Sequence, residues 1–262
     1  MPEAAPYTVR RMALADLAAA DAIVRTAFGT YLGLPDPGAC FAGQDYIRHR
    51  AGAMPDGAFV ACDTSGVIGS NLGTAWGSVG FFGPLSVDPP WWDRGVGAAL
   101  VAPVLAFLDG RGVRHAGLFT FADSVRHGGL YRRFGFWPRA LTLVVGRAPQ
   151  ARSPVAGCST LRALRAAQRA TALADIRALC DGIHAGFDPT HEALAIESRR
   201  LGDTVLLDDG SGFAMCHVGA GTEAGPGVCY VKVGAVASGA GAARRLGFLL
   251  DAVETYAAGR KL

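Results

Sequence analysis

The sequence predicts a mixed α/β fold, and two observations support that prediction. Strand-like apolar segments alternate with helix-like segments along the chain of 262 residues. One strand-like stretch, 81–87, turns through the glycine-rich run 94–100 into a helical pattern. Such a turn presents unpaired backbone N–H groups at the positive end of the helix dipole, where a phosphate or pyrophosphate binds. The sequence therefore predicts an α/β chain with a site for a phosphate-bearing cofactor.

The first half of the chain follows a regular order of predicted elements. Alternating or continuous apolar runs that end at turn residues predict strands at 7–12, 58–63, 67–76, 79–87, 115–121 and 141–146. Helical composition and spacing predict helices at 17–28, capped by Asp16, and at 44–53, 97–109 and 125–134. Glycine and proline predict a loop over 29–43. Pro103 lies inside the 97–109 helix, where we expect a kink without an end to the helix.

The second half repeats a similar order of strand-like and helix-like segments. It follows residues 148–159, a segment with two prolines, one glycine and few large apolar residues. That composition is typical of a linker, so we predict domains at 1–147 and 160–262. The pattern beyond it predicts helices at 161–182, 193–200 and 240–258, and strands at 204–208, 213–218 and 228–236. In the last helix, Leu246, Leu249, Leu250 and Val253 fall at helical spacing on one face.

Composition and charge exclude several classes of function. The formal net charge is only +3, and the arginines are scattered, which argues against a nucleic-acid partner. Apolar runs are too short to span a bilayer, and the first six residues do not resemble a signal peptide, so we expect no membrane association. The six cysteines form no C-x-x-C pair and show no metal-ligand spacing. We therefore expect a cytoplasmic protein with reduced thiols and no metal.

Two motifs resemble those of the GNAT family of N-acetyltransferases. The run 94–99, Arg-Gly-Val-Gly-Ala-Ala, matches the family signature Arg/Gln-x-x-Gly-x-Gly/Ala. Residues 85–89 resemble the end of the family's fourth strand, and 129–136 resembles its closing motif, aliphatic-Tyr-x-x-x-Gly-Phe. A dinucleotide-binding turn is the weaker alternative, because Leu100 stands where a third small residue belongs and the site lies late in the chain.

The resemblance implies an acyl-CoA N-acyltransferase-like fold that uses acetyl-CoA as co-substrate. It implies that backbone groups near Leu85 and Val87 meet the pantetheine arm and the thioester oxygen, and that Tyr131 is the general acid for the thiolate of CoA. It also implies that backbone N–H groups bind the pyrophosphate along one run of residues: Arg94, Gly95, Val96, Gly97, Ala98 and Ala99. Ser124 stands where relatives often carry an asparagine that contacts the pantetheine.

Several roles remain open at this point. Tyr131 either donates a proton or only packs beneath the cofactor, and His127, which shares a helical face with it, relays a proton, contacts the cofactor or lies at the surface. Trp91 and Trp92 either line the site or seal a domain interface. Many relatives carry a glutamate on the fourth strand as general base, but Glu3 is the only glutamate before residue 150. Deprotonation of the amine then depends on an aspartate, a histidine, water or the C-terminal domain.

The second half resembles an incomplete copy of the first. Placing Val87 on Val233 brings Arg94 onto Ala240, Gly97 onto Ala243 and Ala99 onto Arg245. We interpret the second half as a degenerate acetyltransferase-like domain that does not bind acetyl-CoA, with an unrelated α/β domain as the alternative.

The function that follows is transfer of an acetyl group to a primary amine of a small molecule or peptide. A non-catalytic CoA-binding or regulatory protein is the alternative, and a nucleotide-dependent oxidoreductase is a weaker one. We expect acceptor specificity to lie in loops such as 29–43 and in the domain cleft, and the chain to be a monomer or a homodimer.

Overall fold

The computed structural model describes residues 6–150 and 155–260, which divide into two compact units. The first unit comprises residues 1–42, 46–75 and 80–146. The second comprises 43–45, 76–79 and 147–262. The division shows that two short pieces of the N-terminal half pack with the C-terminal residues.

The sheet of the first unit contains six strands, with the order β1-β2-β3-β4-β6 and with β5 paired to β3. The strands are β1 (Thr8–Arg11), β2 (Ala58–Asp63), β3 (Gly66–Trp76), β4 (Val79–Phe82), β5 (Ser86–Val87) and β6 (His115–Gly117). Strand β2 is antiparallel to β1 and β3, and β3 is antiparallel to β5. The helices are α1 (Leu17–Tyr31), α2 (Ile47–Ala53), α3 (Val96–Gly110) and α4 (Val125–Arg132).

Helices cover both faces of this sheet, as the alternation of side chains along β2 requires. Phe59 and Ala61 belong to a buried cluster with the apolar side of α3. Ala58 belongs to a second buried cluster with residues of α1 and α2. The first unit is therefore a three-layer α/β structure, which confirms the mixed α/β fold that the sequence predicts.

The second unit contains an antiparallel sheet of four strands with the order β10-β9-β8-β7. Its strands are β7 (Cys158–Thr160), β8 (Gly202–Leu207), β9 (Gly212–Gly219) and β10 (Gly225–Val236). Its helices are α5 (Ala166–Ile183), α6 (Thr190–Ser198) and α7 (Ala242–Ala258). Strand β7 includes residues predicted as linker, and residues 151–154 of that predicted linker lie outside the described part of the chain.

Three predicted elements of the first unit differ in the structure. The predicted strand 79–87 is split into β4 and β5 by residues 83–85, and the predicted strand 115–121 ends at Gly117. Residues 141–146 form no strand, and the side chain of Leu143 is 74% exposed. Local sequence shows that such segments favour an extended backbone, but only pairing with a neighbouring strand makes them part of a sheet.

Side-chain placement also differs from expectation at two helices. Asp16 does not cap α1 through its side chain, and its carboxylate instead accepts hydrogen bonds from Arg10 and from the N–H of Ala13. On α7, Leu249 and Val253 are buried, whereas Leu246 and Leu250 are about half exposed (46% and 48%). The buried face of α7 is therefore narrower than the leucine spacing predicts.

Within the described residues, none of the helices combines the length and the hydropathy needed to cross a membrane. Pro103 lies inside α3, which continues through it to Gly110. Proline has no N–H to donate to the preceding turn, and nearby the amide of Asn71 donates to the carbonyl of Leu100 at 3.2 Å. A buried side chain of the sheet thus donates to a carbonyl in the turn that precedes Pro103.

Candidate functional site

A pocket opens in the first unit where the β5–α3 turn faces α1 and α4. It brings together six of the residues predicted to bind the cofactor and the predicted catalytic tyrosine: Leu85, Val87, Gly95, Val96, Gly97, Ala98 and Tyr131. His127, also predicted, lines it as well. Arg94, Ala99 and Ser124 are not among its lining residues. Residues from separate parts of the sequence thus converge on one cavity.

The floor of this pocket is the N-terminus of α3. Gly95 is the N-cap residue and has φ of 81°, a left-handed conformation that glycine adopts without a steric penalty. The N–H of Ala99 donates to the carbonyl of Gly95 at 3.1 Å, so this N–H is already used within the helix. The N–H groups of the preceding residues, Val96, Gly97 and Ala98, have no acceptor within an α-helix and point out of its N-terminus.

Gly97 keeps the space above this turn open. A Cβ atom at this position would lie 3.5 Å from Leu130 and 3.9 Å from Val87, in ordinary contact with both side chains. It would therefore fill pocket space without forcing the protein to move. The residues present fit a phosphate-bearing ligand, because the glycine leaves the N–H groups accessible and the helix dipole favours negative charge there.

The two tryptophans before α3 stabilise the turn and also line the pocket. The indole Nε1 of Trp92 donates to the carbonyl of Val87 at 2.7 Å, which fixes β5 relative to the turn. The guanidinium of Arg94 lies 5.3 Å from the centroid of the Trp91 ring, and that of Arg126 lies 5.0 Å from the Trp92 ring. These contacts place two cations at the N-terminal end of α3.

Tyr131 lies on α4 and packs edge-on against Phe82, with ring centroids 5.9 Å apart. It contacts the apolar core beneath α3 and also lines the pocket. Burial raises the pKa of its phenol to about 12, since the phenolate would lose its hydration. Tyr131 therefore keeps its proton at neutral pH.

Ser124 and His127 lie in the first turn of α4. Ser124 is the N-cap of α4, and its hydroxyl oxygen accepts the N–H of His127 at 3.3 Å. The imidazole of His127 is half-buried, and its pKa is lowered first by burial and second by the charge of Arg126. His127 is therefore neutral at pH 7, because its usual pKa already lies below 7.

Four rings form one side of the pocket, and we call them the aromatic wall: Phe28, Tyr31, Phe121 and His127. The centroid of Tyr31 lies 4.7 Å from that of Phe121 and 5.1 Å from that of His127. The centroids of Phe28 and Phe121 are 6.1 Å apart. No motif in the sequence marks Phe28 or Phe121 as a site residue. Tyr31 lies in the predicted loop 29–43, which we expect to contribute to acceptor specificity.

Acidic side chains are scarce around the pocket. Asp93 is the carboxylate among its described lining residues, and it is 82% exposed and paired with Arg126 at 2.8 Å. Asp88, which follows β5, has its pKa raised by burial but does not line the cavity. Among the described lining residues, the acidic groups are thus limited to Asp93, whose carboxylate is engaged by Arg126.

Comparison with known proteins shows which family part of the first unit resembles. The model of the Acetyltransferase (GNAT) family matches residues 30–136, which include the β5–α3 turn and Tyr131. No curated protein matches the chain in sequence. GNAT acetyltransferases use acetyl-CoA and act on amines.

One solved structure shares the fold at low sequence identity, and two others are less similar. A protein from Pyrococcus horikoshii that is assigned as an acetyltransferase has a TM-score of 0.57 and 17% identity, over 81% of this chain and 68% of its own. Ard1 from Thermoplasma volcanium has a TM-score of 0.42 and 20% identity, over 52% of this chain and 85% of its own. A GNAT acetyltransferase from Brucella melitensis, solved with acetyl-CoA, has a TM-score of 0.38 and 24% identity, over 50% of this chain and 83% of its own.

The family match and the fold coincide on one part of the molecule. The matched segment contains α2, β2 to β6, α3 and α4, together with the end of α1. The P. horikoshii structure extends the likeness of fold over most of the chain. Residues 30–136 therefore resemble the GNAT acetyltransferases, and the chain has an acyl-CoA N-acyltransferase-like fold.

Proposed function

We propose that the protein is an acetyl-CoA-dependent N-acetyltransferase that acetylates a primary amine of a small molecule or peptide, with Tyr131 as general acid. One observation carries this proposal: the N-terminus of α3, strand β5 and Tyr131 line the same pocket. A phosphate-binding turn and a buried proton donor are the two groups that this reaction needs from the protein at opposite ends of the cofactor.

The proposed cofactor site follows from the geometry of the turn. The N–H groups of Val96, Gly97 and Ala98 hold the pyrophosphate, and Arg94 and Arg126 supply positive charge beside it. The pantetheine arm lies along Leu85 and Val87, with Ser124 at its side as a further predicted contact. This arrangement leaves the reacting end of the cofactor beside Tyr131 and His127.

The chemistry then divides between the cofactor and the chain. Acetyl-CoA supplies an acetyl group activated as a thioester. A backbone N–H near Val87 is the proposed donor to the thioester oxygen, where negative charge develops. Tyr131 keeps its proton on Oη at neutral pH because its pKa is raised. We propose that this proton is transferred to the leaving thiolate sulfur. His127, which lines the pocket and has a lowered pKa, is the proposed acceptor of a proton from the amine.

The experiment that tests the cofactor site is calorimetric titration of acetyl-CoA into the Gly97→Ala variant. We expect affinity to fall about ten-fold or more, because the new methyl group fills space beside the N–H groups. Stability should not fall, since alanine favours a helix over glycine by about 1 kcal/mol. Gly110→Ala is the matched control, because it adds the same methyl group at the other end of α3 in open space.

Unchanged affinity in Gly97→Ala would place the cofactor elsewhere and contradict the proposal. A second candidate function, a CoA-binding protein without turnover, is favoured by the scarcity of carboxylates around the pocket. The two are separated by release of CoA thiol from acetyl-CoA in the presence of amines, which the non-catalytic protein would not produce.

We also propose that the chain consists of a catalytic domain at 1–147, a linker at 148–159 and a degenerate acetyltransferase-like domain at 160–262. In the second unit, the last strand of the four-stranded sheet, β10, is followed by the long helix α7. In the first unit, β5 is followed by α3. This shared order of elements supports the proposal.

A further inference from the structure

The proposed acetyl-CoA site leaves three rings of the aromatic wall, Phe28, Tyr31 and Phe121, without a role. Phe28 and Tyr31 come from the last two turns of α1, Phe121 follows β6, and His127 lies on α4. Their rings are in contact, with centroids between 4.7 and 6.2 Å apart. Tyr31 is still 36% exposed, so the wall presents ring surface to the cavity. Such a surface favours another ring, because aromatic pairs gain from offset or edge-to-face packing beyond the area they bury.

The charged residues around the pocket also restrict the kind of acceptor that binds there. Its described lining residues include two arginines, Arg126 and Arg133, and one carboxylate, Asp93, which is exposed and paired with Arg126. His127 adds no charge at neutral pH. A second ammonium group on the acceptor would find two guanidinium groups and no unengaged carboxylate among these residues. Diamines, polyamines and lysine-rich peptides are therefore disfavoured.

We propose that the acceptor is a primary amine that carries an aromatic ring, and that this ring packs against the aromatic wall. This inference rests on the proposed N-acetyltransferase function and names the substrate class of the same pocket. The amine then lies between the wall and Tyr131, because His127 is four residues before Tyr131 on α4 and lies on the same helical face.

The test compares two acceptors at equal concentration, 2-phenylethylamine and butane-1,4-diamine, by release of CoA thiol from acetyl-CoA. Both are primary amines on short carbon chains, and they differ in whether a ring or a second ammonium group follows. We expect kcat/KM to be at least about ten-fold higher for 2-phenylethylamine, the gain that one aromatic contact with burial supplies.

Substitutions in the aromatic wall test whether these rings cause the preference for 2-phenylethylamine. Tyr31→Ala and Phe121→Ala should each raise the KM for 2-phenylethylamine about ten-fold and leave kcat within a few-fold, because ring packing holds the substrate equally in the ground and transition states. Tyr31→Phe, which keeps the ring, should give a lower KM for 2-phenylethylamine than Tyr31→Ala does. Phe119→Ala is the matched control, since Phe119 is 71% exposed, stacks on Phe81 and does not line the pocket.

Each result bears on the proposal. Preference for the diamine, or an unchanged KM in both alanine variants, would overturn the substrate class and leave the N-acetyltransferase function standing. Binding of acetyl-CoA with no thiol release for either amine, or for a wider panel of primary amines, would overturn the proposed function and this inference with it. An equal rise in the dissociation constant of acetyl-CoA in the alanine variants would assign the wall to the cofactor and overturn the substrate class.

Discussion

At the scale of single residues, the position of Tyr131 could be predicted and its environment could not. The motif around it places a tyrosine at the end of a short helix, which the structure shows as α4. Its contact with Phe82 and its raised pKa depend on β4, which lies about fifty residues earlier in the chain. Burial is a property of the assembled core, so sequence spacing alone gives no value for the pKa.

The first prediction concerns the proton of Tyr131. Tyr131→Phe should lower kcat about 100-fold, the usual range for loss of a general acid, and leave the dissociation constant of acetyl-CoA within about two-fold. In the wild type, the rate should not fall between pH 7 and 10 through loss of this proton, because the raised pKa, about 12, keeps the phenol protonated. The measurement is a pH–rate profile with the best amine acceptor. A phenylalanine variant with full rate would show that the ring only packs.

At the scale of elements, the helices and the long strands could be predicted, whereas short strands could not. The bounds of β2, β3 and α3 differ from the predicted bounds by one residue at most. These elements carry enough apolar periodicity to fix their type locally. Two features depend on tertiary pairing: the split between β4 and β5, and the absence of a strand at 141–146. A segment becomes a strand only where a neighbouring strand offers a hydrogen-bonding edge, and the local sequence pattern carries no information about that neighbour.

The second prediction concerns the connection between β5 and α3. Trp92→Phe keeps an aromatic ring but removes the Nε1–H that bonds the carbonyl of Val87. We expect the free energy of unfolding to fall by about 1 kcal/mol, the usual net value of one hydrogen bond. Urea denaturation measures this change. Trp137→Phe is the control, because Trp137 is 69% exposed, and an equal loss there would contradict the role given to Trp92.

At the scale of the whole molecule, the two units repeat one local geometry with different chemistry. Gly241 is the N-cap of α7 with φ of 82°, close to the 81° of Gly95 at α3. Placing Val87 on Val233 puts these two glycines in register. Each cap carbonyl accepts the first helical hydrogen bond, from Ala99 in α3 and from Arg245 in α7. The repeated turn supports the proposal that the second domain is a degenerate copy.

The side chain of Arg245 distinguishes the second turn from the first. Its guanidinium donates to the carbonyls of Ala237 and Ser238, at 2.7 to 3.1 Å, and Nη1 would lie 3.4 Å from a Cβ atom at Gly241. At the corresponding place in the first unit stands the methyl group of Ala99. The guanidinium therefore lies in front of the N-terminus of α7, and its N–H groups donate to backbone carbonyls. This is the physical reason to expect that the second unit does not bind acetyl-CoA.

The third prediction follows from that difference and concerns stoichiometry. Calorimetric titration should show about one acetyl-CoA per chain, because one of the two helix N-termini is open and the other is covered by Arg245. Gly97→Asp should abolish binding, since it places a carboxylate against the pyrophosphate, while an acidic residue in the first turn of a helix favours folding. Two molecules bound per wild-type chain, or one bound per chain in Gly97→Asp, would show that α7 carries a working site. In that event the second domain would be a functional copy and not a degenerate one.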